Sequence, residues 1–299
     1  MRATTVKRIL GLLAGGAVLL AACGDDEPDA ADDTPAGEEA DAPERIVSLS
    51  PALTEMLFAV GAGDQVVAVD DQSNYPDGVP TTDLSGYQPN VEAIAGYEPD
   101  LVVASSPPED MVRGLEDLGI EVLDLPAAQT LEDTYAQLAE LGVRTGNVDG
   151  AAEVVADMRA EIDELLADLP ERDEPLTYYH ELDDMLFSIT SSTFIGELYS
   201  LAGLENVADA ADPKSELGGY PQLSSEFLVD ADPDIIFLAD TVCCGQDADT
   251  LAARPGFSNL TAVAEGRVVE LDDDVASRWG PRVVDLLRAI VEATAAVPA

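Results

Sequence analysis

A long amphipathic helix near the middle of the chain constrains the fold more than any other feature. Between Asn147 and Leu169, the apolar residues recur at alternating steps of three and four. This spacing places them on one stripe of a helix and leaves the acidic residues on the other faces. Asn147 or Asp149 can cap its start, and Pro170 ends it. At 1.5 Å per residue, a helix over residues 147–169 is about 35 Å long, which is enough to join two lobes.

The sequence on either side of this helix repeats one order of elements. Short apolar strands alternate with helices in residues 45–146 and again in residues 170–299. Each half places one glutamate six residues before a glycine and another glutamate seven residues before a Pro-Asp pair; the matched positions are Glu55 with Glu197, and Glu92 with Glu226. Alternating strands and helices predict parallel sheets covered by helices on both faces. We therefore predict an α/β fold of two Rossmann-like lobes, each with a central parallel sheet, joined by one long backbone α-helix.

The N-terminus has the composition of an export signal. Basic residues precede an apolar run from Ile9 to Ala22, which is too short to cross a bilayer but suits a signal peptide over residues 1–22. The motif LAAC, ending at Cys23, resembles the lipobox of bacterial lipoproteins. This resemblance implies cleavage before Cys23 and a lipid on its thiol. The alternative is an ordinary signal peptide followed by a chance cysteine.

Residues 23–44 form a separate acidic segment. They contain ten acidic residues, no Lys or Arg, and no core-forming side chain larger than Ala or Pro. Such a composition cannot bury enough apolar surface to fold. We predict a lipidated tether that holds the protein outside the cytoplasm, anchored to the cell membrane.

The charge balance limits the classes of partner. The chain carries 60 acidic residues against 14 Lys and Arg, a formal net charge of −46. This excess argues against binding of nucleic acid or of an anionic membrane surface, and leaves the lipid as the membrane contact. Scarce lysine with abundant acid predicts a high-salt or extracellular habitat. The melting temperature should then rise between low and molar salt, because salt screens self-repulsion, and a salt-independent melting temperature would contradict this.

Two sequence blocks resemble a known family. RIVSLSPALTEMLFAVGAGDQVVAVDDQSNYP at residues 45–76 and PNVEAIAGYEPDLVVAS at residues 89–105, with the long helix, resemble the substrate-binding lipoproteins of ABC importers for vitamin B12, haem and iron-siderophores. The resemblance covers residues 45–297. It implies a monomeric, non-enzymatic protein without a resident cofactor, which captures a cobalt or iron chelate between its lobes.

The resemblance also implies a partner, an ABC permease dimer with its ATPase. In this family one glutamate on each lobe meets arginines of the two permease subunits, and the matching positions here are Glu92 and Glu226. The alternative is that each is a first-turn acid that stabilises its helix dipole by about 0.3–1 kcal/mol. The recurrence of both at matched positions favours docking to a symmetric dimer.

Loops at the carboxyl ends of parallel strands line clefts of this kind, and aromatic faces suit a flat macrocycle. The predicted ligand-binding residues are Ser50, Pro51, Tyr75, Tyr87, His180, Tyr220, Asp274, Arg278 and Trp279. Similarity to the B12-binding member supports Tyr220, Asp274 and Arg278, but Gly86 and Ser105 replace two tryptophans of that member. The ligand therefore stays open between a corrinoid, which we favour, and an iron-siderophore or haem.

Simpler structural roles remain open for several of these residues. Asp274 and Arg278 have the spacing of a helical surface ion pair. Trp279 can equally anchor the core. A lone histidine such as His180 is more often a hydrogen-bonded structural residue than a ligand contact.

Cys243 and Cys244 raise the competing class, an exported enzyme. With Cys23 lipidated they are the remaining thiols, either as a vicinal disulfide or as a free pair. Catalysis by one of them with His180 lacks an identifiable third group. One histidine is too few for a zinc or manganese site, so no metal site is predicted. Phosphate-loop, Gly-x-Ser-x-Gly and zinc-protease motifs are missing from the sequence.

Overall fold

A computed structural model of the protein describes residues 42–167 and 169–298. The predicted signal peptide, Cys23 and most of the predicted tether lie outside the described residues. Within those ranges, every helix is too short or too polar to span a bilayer.

The first lobe contains a five-stranded sheet in which all neighbouring strands are parallel. The strands are β1 (Ile46–Ser48), β2 (Val66–Asp70), β3 (Thr81–Leu84), β4 (Leu101–Ala104) and β5 (Glu121–Asp124). Across the sheet they lie in the order β3-β2-β1-β4-β5. Every residue of β1 and β4 is buried, as expected for central strands covered on both faces. Sequence analysis missed β3, because this edge strand is TTDL and three of its four residues are polar.

Four helices of the first lobe follow these strands. They are α1 (Pro51–Ala59), α2 (Val91–Ala95), α3 (Glu109–Glu116) and α4 (Leu131–Thr145). A proline begins α1, and the Asn90 side chain caps α2. A capping box of Thr130 and Asp133 begins α4, and Gly146 in the left-handed conformation ends it. Sequence analysis did not predict α4.

The predicted long helix is present as α5 (Val148–Ala167), with 20 residues and a length of about 30 Å. It runs antiparallel to α4 after a two-residue turn. The helices approach so closely that a Cβ on Gly142 would lie 2.5 Å from the Ala151 Cβ. Met158 and Ile162 of the apolar stripe are buried, whereas Glu153 is exposed. The long helix α5 therefore joins the lobes, and α4 of the first lobe packs beside it.

The second lobe contains a four-stranded parallel sheet. Its strands are β6 (Thr177–Glu181), β7 (Glu205–Asn206), β8 (Ile235–Leu238) and β9 (Val268–Glu270). They lie in the order β7-β6-β8-β9. The helices are α6 (Phe194–Leu201), α7 (Ser225–Ala231), α8 (Ala248–Ala252), α9 (Thr261–Ala264), α10 (Asp273–Ser277) and α11 (Val283–Ala296). The predicted fold class, two α/β lobes with parallel sheets and a connecting helix, is confirmed.

The repeated sequence spacings correspond to repeated contacts. The Asp100 carboxylate accepts a hydrogen bond from the Arg45 N–H, just before β1, at 3.1 Å. The Asp234 carboxylate accepts one from the Thr177 N–H, at the start of β6, at 2.8 Å. The aspartate of each Pro-Asp pair therefore links the strand that follows it to the start of the first strand of its lobe. The glycines that follow α1 and α6 both have positive φ, as helix-ending glycines require.

One apolar core runs through both lobes. It joins Leu53 of α1, Leu138 of α4, Ile162 of α5, Leu198 of α6 and Leu287 of α11. Two smaller apolar clusters, one in each lobe, cover the outer faces of the sheets. Because a continuous core crosses the seam, wide hinge bending would expose apolar surface and is disfavoured.

Candidate functional site

Exposed apolar side chains concentrate at the carboxyl ends of the strands of both lobes. Eleven large apolar residues are exposed among those described, and six of them lie in connections between a strand and the next α-helix. They are Tyr75 and Tyr87 in the first lobe, and Met185, Leu217, Tyr220 and Val242 in the second. Exposed apolar residues grouped at one edge mark a binding surface rather than scattered surface residues.

Tyr87 is the most exposed of these residues, with 88% of its surface accessible. It lies beside a cavity of about 300 Å³ that Pro89, Pro108 and Met111 also line. The preceding residue, Gly86, is packed so tightly that a Cβ would lie 2.5 Å from the Leu49 carbonyl oxygen. The structure thus explains why a large side chain is missing at this position and leaves Tyr87 as the neighbouring aromatic surface.

Tyr75 and Tyr220 also present partly exposed rings, at 45% and 52%. The Arg282 guanidinium lies 4.3 Å from the centroid of the Tyr75 ring, which holds that ring by a cation–π interaction. Pro51 is the first residue of α1 and half-buried, whereas Ser50 is buried and only 5% exposed. Ser50 therefore offers little surface to a ligand in this structure.

Arg278 lies in a buried network between the lobes. Its guanidinium donates to the Glu55 carboxylate at 2.9 Å, to the Asn74 side-chain oxygen at 2.9 Å and to the Gln72 carbonyl at 3.1 Å, all in the first lobe. It also donates to Asp274 of its own lobe at 2.6 Å. The pair is therefore not an isolated surface ion pair, and the Arg278 guanidinium is occupied by protein acceptors rather than open to a ligand.

Asp274 extends the same network across the seam. Its carboxylate accepts a hydrogen bond from the Asn74 amide at 2.6 Å. Asp274 stays half-buried, so it reaches the edge of the network that faces solvent. Sequence analysis missed Asn74 and Glu55 as partners of Asp274 and Arg278, because they lie about two hundred positions earlier in the chain.

Trp279 also lies at the seam. Its indole N–H donates to the Gln137 side chain at 3.0 Å, and its carbonyl accepts from the Thr134 hydroxyl at 3.0 Å. Both partners belong to α4. These contacts match the anchoring alternative, although the ring remains half-buried rather than fully enclosed.

His180 does not reach the cleft, contrary to our prediction. It is fully buried on the central strand β6, where its Nδ1 lies 2.8 Å from the Tyr199 hydroxyl. Burial lowers the pKa of His180 to about 3, so the ring is neutral. The strand β6 is covered on both faces, so every residue from Tyr178 to Glu181 is buried, which a strand boundary alone did not reveal.

Two buried carboxylates that sequence analysis missed end strands of the second sheet. Glu181 is fully buried and paired with both terminal nitrogens of Arg254, at 2.6 and 2.7 Å. Asp240 is also fully buried, and neither of its oxygens has a hydrogen-bond partner among the described residues. Burial, with the nearby Glu181 charge, raises the pKa of Asp240 to about 7. The available signal was an acidic residue at the end of β6 and another two residues after the apolar strand β8.

The sulfur atoms of Cys243 and Cys244 are bonded to each other in a vicinal disulfide. The Asp273 carboxylate accepts hydrogen bonds from the Val242 N–H and the Cys243 N–H, which holds this loop at the end of β8. No group of three or more His, Cys, Asp or Glu within residues 42–167 and 169–298 is arranged to hold a metal ion.

Glu92 and Glu226 occupy equivalent exposed positions. Each is the second residue of a short helix, and the N-cap side chains Asn90 and Ser224 already accept hydrogen bonds from the first turn. The helix starts are therefore capped without the glutamates. Both carboxylates are free of ion pairs with other described residues. They can meet an external cation without first breaking an internal contact.

The chain is similar to proteins of known family. Residues 46–275 match the periplasmic binding protein family. The chain is 33% identical over 266 residues to a cobalamin-binding protein of Halobacterium salinarum, covering 84% of this chain and 69% of that protein. It is 30% identical over 259 residues to YvrC, an uncharacterized ABC transporter substrate-binding lipoprotein of Bacillus subtilis, covering 84% of this chain and 79% of that protein.

A solved structure agrees with this assignment. The periplasmic vitamin B12-binding protein BtuF of Vibrio cholerae superposes with a TM-score of 0.67 at 25% identity, covering 84% of this chain and 96% of that chain. The resemblance identified from the sequence blocks is confirmed. The chain belongs to the periplasmic binding protein family and is a substrate-binding protein of the ABC-importer type.

Proposed function

We propose that this protein is a lipid-anchored, monomeric solute-binding component of an ABC importer, and that its ligand is a corrinoid such as cobalamin. The main support for this proposal is the set of exposed aromatic and apolar side chains at the carboxyl ends of both sheets, above all Tyr75, Tyr87 and Tyr220. Such a surface suits a large ligand with apolar faces. The cobalamin-binding relative from Halobacterium salinarum supports the corrinoid over other chelates.

The lipid anchor is supported by the sequence before the fold. Cys23 follows an apolar run in the motif LAAC, and the Bacillus subtilis relative is a lipoprotein. The acidic segment of residues 23–44 would then separate the membrane from the binding lobes. Mass spectrometry of the membrane fraction should find a diacylglycerol-modified Cys23, and Cys23→Ser should release the protein into the medium or the soluble fraction.

Docking to the permease dimer would use Glu92 and Glu226. Two matched, exposed carboxylates that form no ion pair with another described residue suit two symmetry-related cationic sites. Reversing both charges, with Glu92→Lys and Glu226→Lys, should abolish uptake and leave ligand affinity unchanged. A loss of affinity instead would assign them to the cleft or to the fold.

We further propose that the protein is not an enzyme. The bonded sulfurs of Cys243 and Cys244 offer no thiolate, and His180 is fully buried. Replacing all three residues should leave ligand binding in place, whereas a thiol enzyme would lose its activity.

Titration with cyanocobalamin, haemin and a ferric siderophore tests the ligand. Trp279 is the only tryptophan, so its fluorescence reports binding from one place, and the visible absorbance of each chelate gives a second signal. Saturable binding of cyanocobalamin supports the proposal. Binding of haemin or the siderophore alone would mean that this chelate, rather than a corrinoid, is the ligand. Binding of none of the three would reject metal chelates as the ligand class.

A further inference from the structure

We infer that Glu55 and Glu197 are positioning residues that hold the two lobes at a set separation. They are the other matched pair of glutamates in the duplicated sequence, six residues before a glycine in each half. Neither is accounted for by ligand contact or permease docking. The effect on ligand affinity rests on the proposed function, whereas the effect on lobe separation does not.

Glu55 lies on α1 of the first lobe, and its side chain is 1% exposed. Its carboxylate accepts from Arg278 at 2.9 Å and from two nitrogens of Arg282 at 2.6 and 3.1 Å. Both arginines belong to the second lobe and lie in the segment between α10 and α11. A Cβ on the intervening Gly280 would lie 3.0 Å from the Glu55 carboxylate, so the segment passes close to it.

Glu197 makes the reciprocal contact. It lies on α6, the first helix of the second lobe, and its carboxylate accepts from the Leu131 N–H at 2.9 Å. Leu131 is the first residue of α4, the last helix of the first lobe. A carboxylate at this position satisfies an otherwise unpaired N–H and interacts favourably with the helix dipole.

The two contacts obey one rule. In each lobe a glutamate on the first helix reaches the start of the last helix of the other lobe. Contacts related in this way connect the two lobes at two equivalent places in the interface between them. Trp279, which is hydrogen-bonded to Thr134 and Gln137, lies in the same interface. Tilting one lobe against the other must therefore lengthen at least one of the two glutamate contacts.

Apolar packing alone does not set the spacing near Glu55. A cavity of about 480 Å³ lies between α1, α5 and α11, with Phe58, Met158 and Val284 on its walls and Glu55 and Arg282 at its side. Because the helices are not close-packed there, the directional ion pairs fix the distance between α1 and α11. Buried ion pairs lose their stabilising effect steeply when their geometry changes.

Inter-lobe distances measured by pulsed electron spin resonance test the inference. Spin labels are placed on the full chain at the exposed positions Asp117 and Asp249, through a genetically encoded keto amino acid that leaves the cysteines unmodified. Glu55→Gln and Glu197→Gln should each broaden or lengthen the distance distribution, and the double variant should do so most. The controls Glu140→Gln on α4 and Glu292→Gln on α11 make the same substitution at exposed positions outside the seam and should leave the distribution unchanged.

Affinity supplies the second measurement. Cyanocobalamin should bind about tenfold more weakly to Glu55→Gln, a change of about 1.4 kcal/mol, and at parental affinity to both controls. If Glu55→Gln does not fold, Arg282→Met and Glu197→Gln decide the question. An unchanged distribution in these variants overturns the inference. If the parent itself binds no cyanocobalamin, the corrinoid proposal fails, while the distances still decide the role of the glutamates.

Discussion

The carboxyl edges of the two sheets differ in how their buried polar groups are satisfied. In the first lobe, Asp70 accepts a hydrogen bond from the Ser73 N–H at 2.9 Å, and the Thr54 hydroxyl bonds to Ser48 and Ser73 at 2.8 and 2.9 Å. In the second lobe, three of the four buried side-chain polar atoms without a partner among the described residues belong to His180 and Asp240.

The two edges have similar topology but should differ in how their stability responds to pH and to substitution. The first edge is a saturated network of hydroxyls around one carboxylate. The second edge holds two buried carboxylates, Glu181 and Asp240, with Arg254 as the cation next to them. Unpaired buried charge is costly, so the second edge should respond to pH and to loss of Arg254, whereas the first should respond mainly to loss of a hydrogen bond.

Removing Arg254 should have the largest effect. Arg254→Met leaves Glu181 as a buried charge without its partner and should lower the free energy of unfolding by about 3–5 kcal/mol, measured by urea denaturation. In the first lobe, Arg144→Met breaks the pair with Glu121, whose side chain is 60% exposed, and should cost less than about 1 kcal/mol. Similar decreases in the free energy of unfolding for Arg254→Met and Arg144→Met would contradict the proposed difference between a buried and an exposed ion pair.

Asp240→Asn should stabilise the protein above neutral pH. The folded-state pKa is raised to about 7 from an ordinary 3.8, so folding favours the protonated form and stability falls as pH rises from about 4 through 7. The variant lacks this loss and should be more stable than the parent by roughly 2 kcal/mol at pH 8, and equal to it at pH 4. Asp70→Asn should stabilise less than Asp240→Asn, because burial also raises the pKa of Asp70 but hydrogen bonds from Ser73 oppose that shift. Urea midpoints across this pH range provide the measurement.

His180 should add sensitivity to acid. Its folded-state pKa is lowered to about 3 from 6.5, so its contribution is complete above 6.5 and is lost as pH falls toward 3. As pH falls through this range, the free energy of unfolding of the parent should decrease relative to that of His180→Gln, by at most about 1.4 kcal/mol per pH unit. Thermal melts at several pH values follow it, and a pH-independent difference would show that His180 titrates normally.

Ser73→Ala should have the smallest effect among the variants at buried positions. It removes the hydroxyl that bonds to Thr54 and should cost about 1 kcal/mol at pH 5. The loss should grow toward pH 8, because the Ser73 hydroxyl also lowers the pKa of the buried Asp70 carboxyl. The same urea measurements provide the test, and a loss that does not change with pH would mean that the hydroxyl does not act on the charge of Asp70.

Periodicity and spacing were enough to predict the two lobes, the parallel strands and the helix between them. They worked because central strands such as β4 are apolar throughout and α5 has a continuous apolar stripe. They failed for β3, whose polar residues lie at a sheet edge, because neighbouring elements rather than local composition decide an edge strand. They were also not applied to α4, although its capping box and its ending glycine are local signals.

The candidate site was predictable in part. The exposed positions of Tyr75, Tyr87 and Tyr220 follow from their place in loops after strands. The burial of His180 does not, because the coverage of both faces of β6 depends on elements that are distant in the chain. The partner of Arg278 does not either, since Glu55 is 223 residues away in the chain.

The sequence by itself determined the duplication and the long amphipathic helix, since both are local patterns repeated along the chain. It also paired Glu92 with Glu226 and Glu55 with Glu197. Only the tertiary structure decided that the first pair faces solvent while the second pair joins the lobes. The reason is physical: spacing sets which helix carries a glutamate and on which turn, but contact depends on which distant element the fold brings beside it.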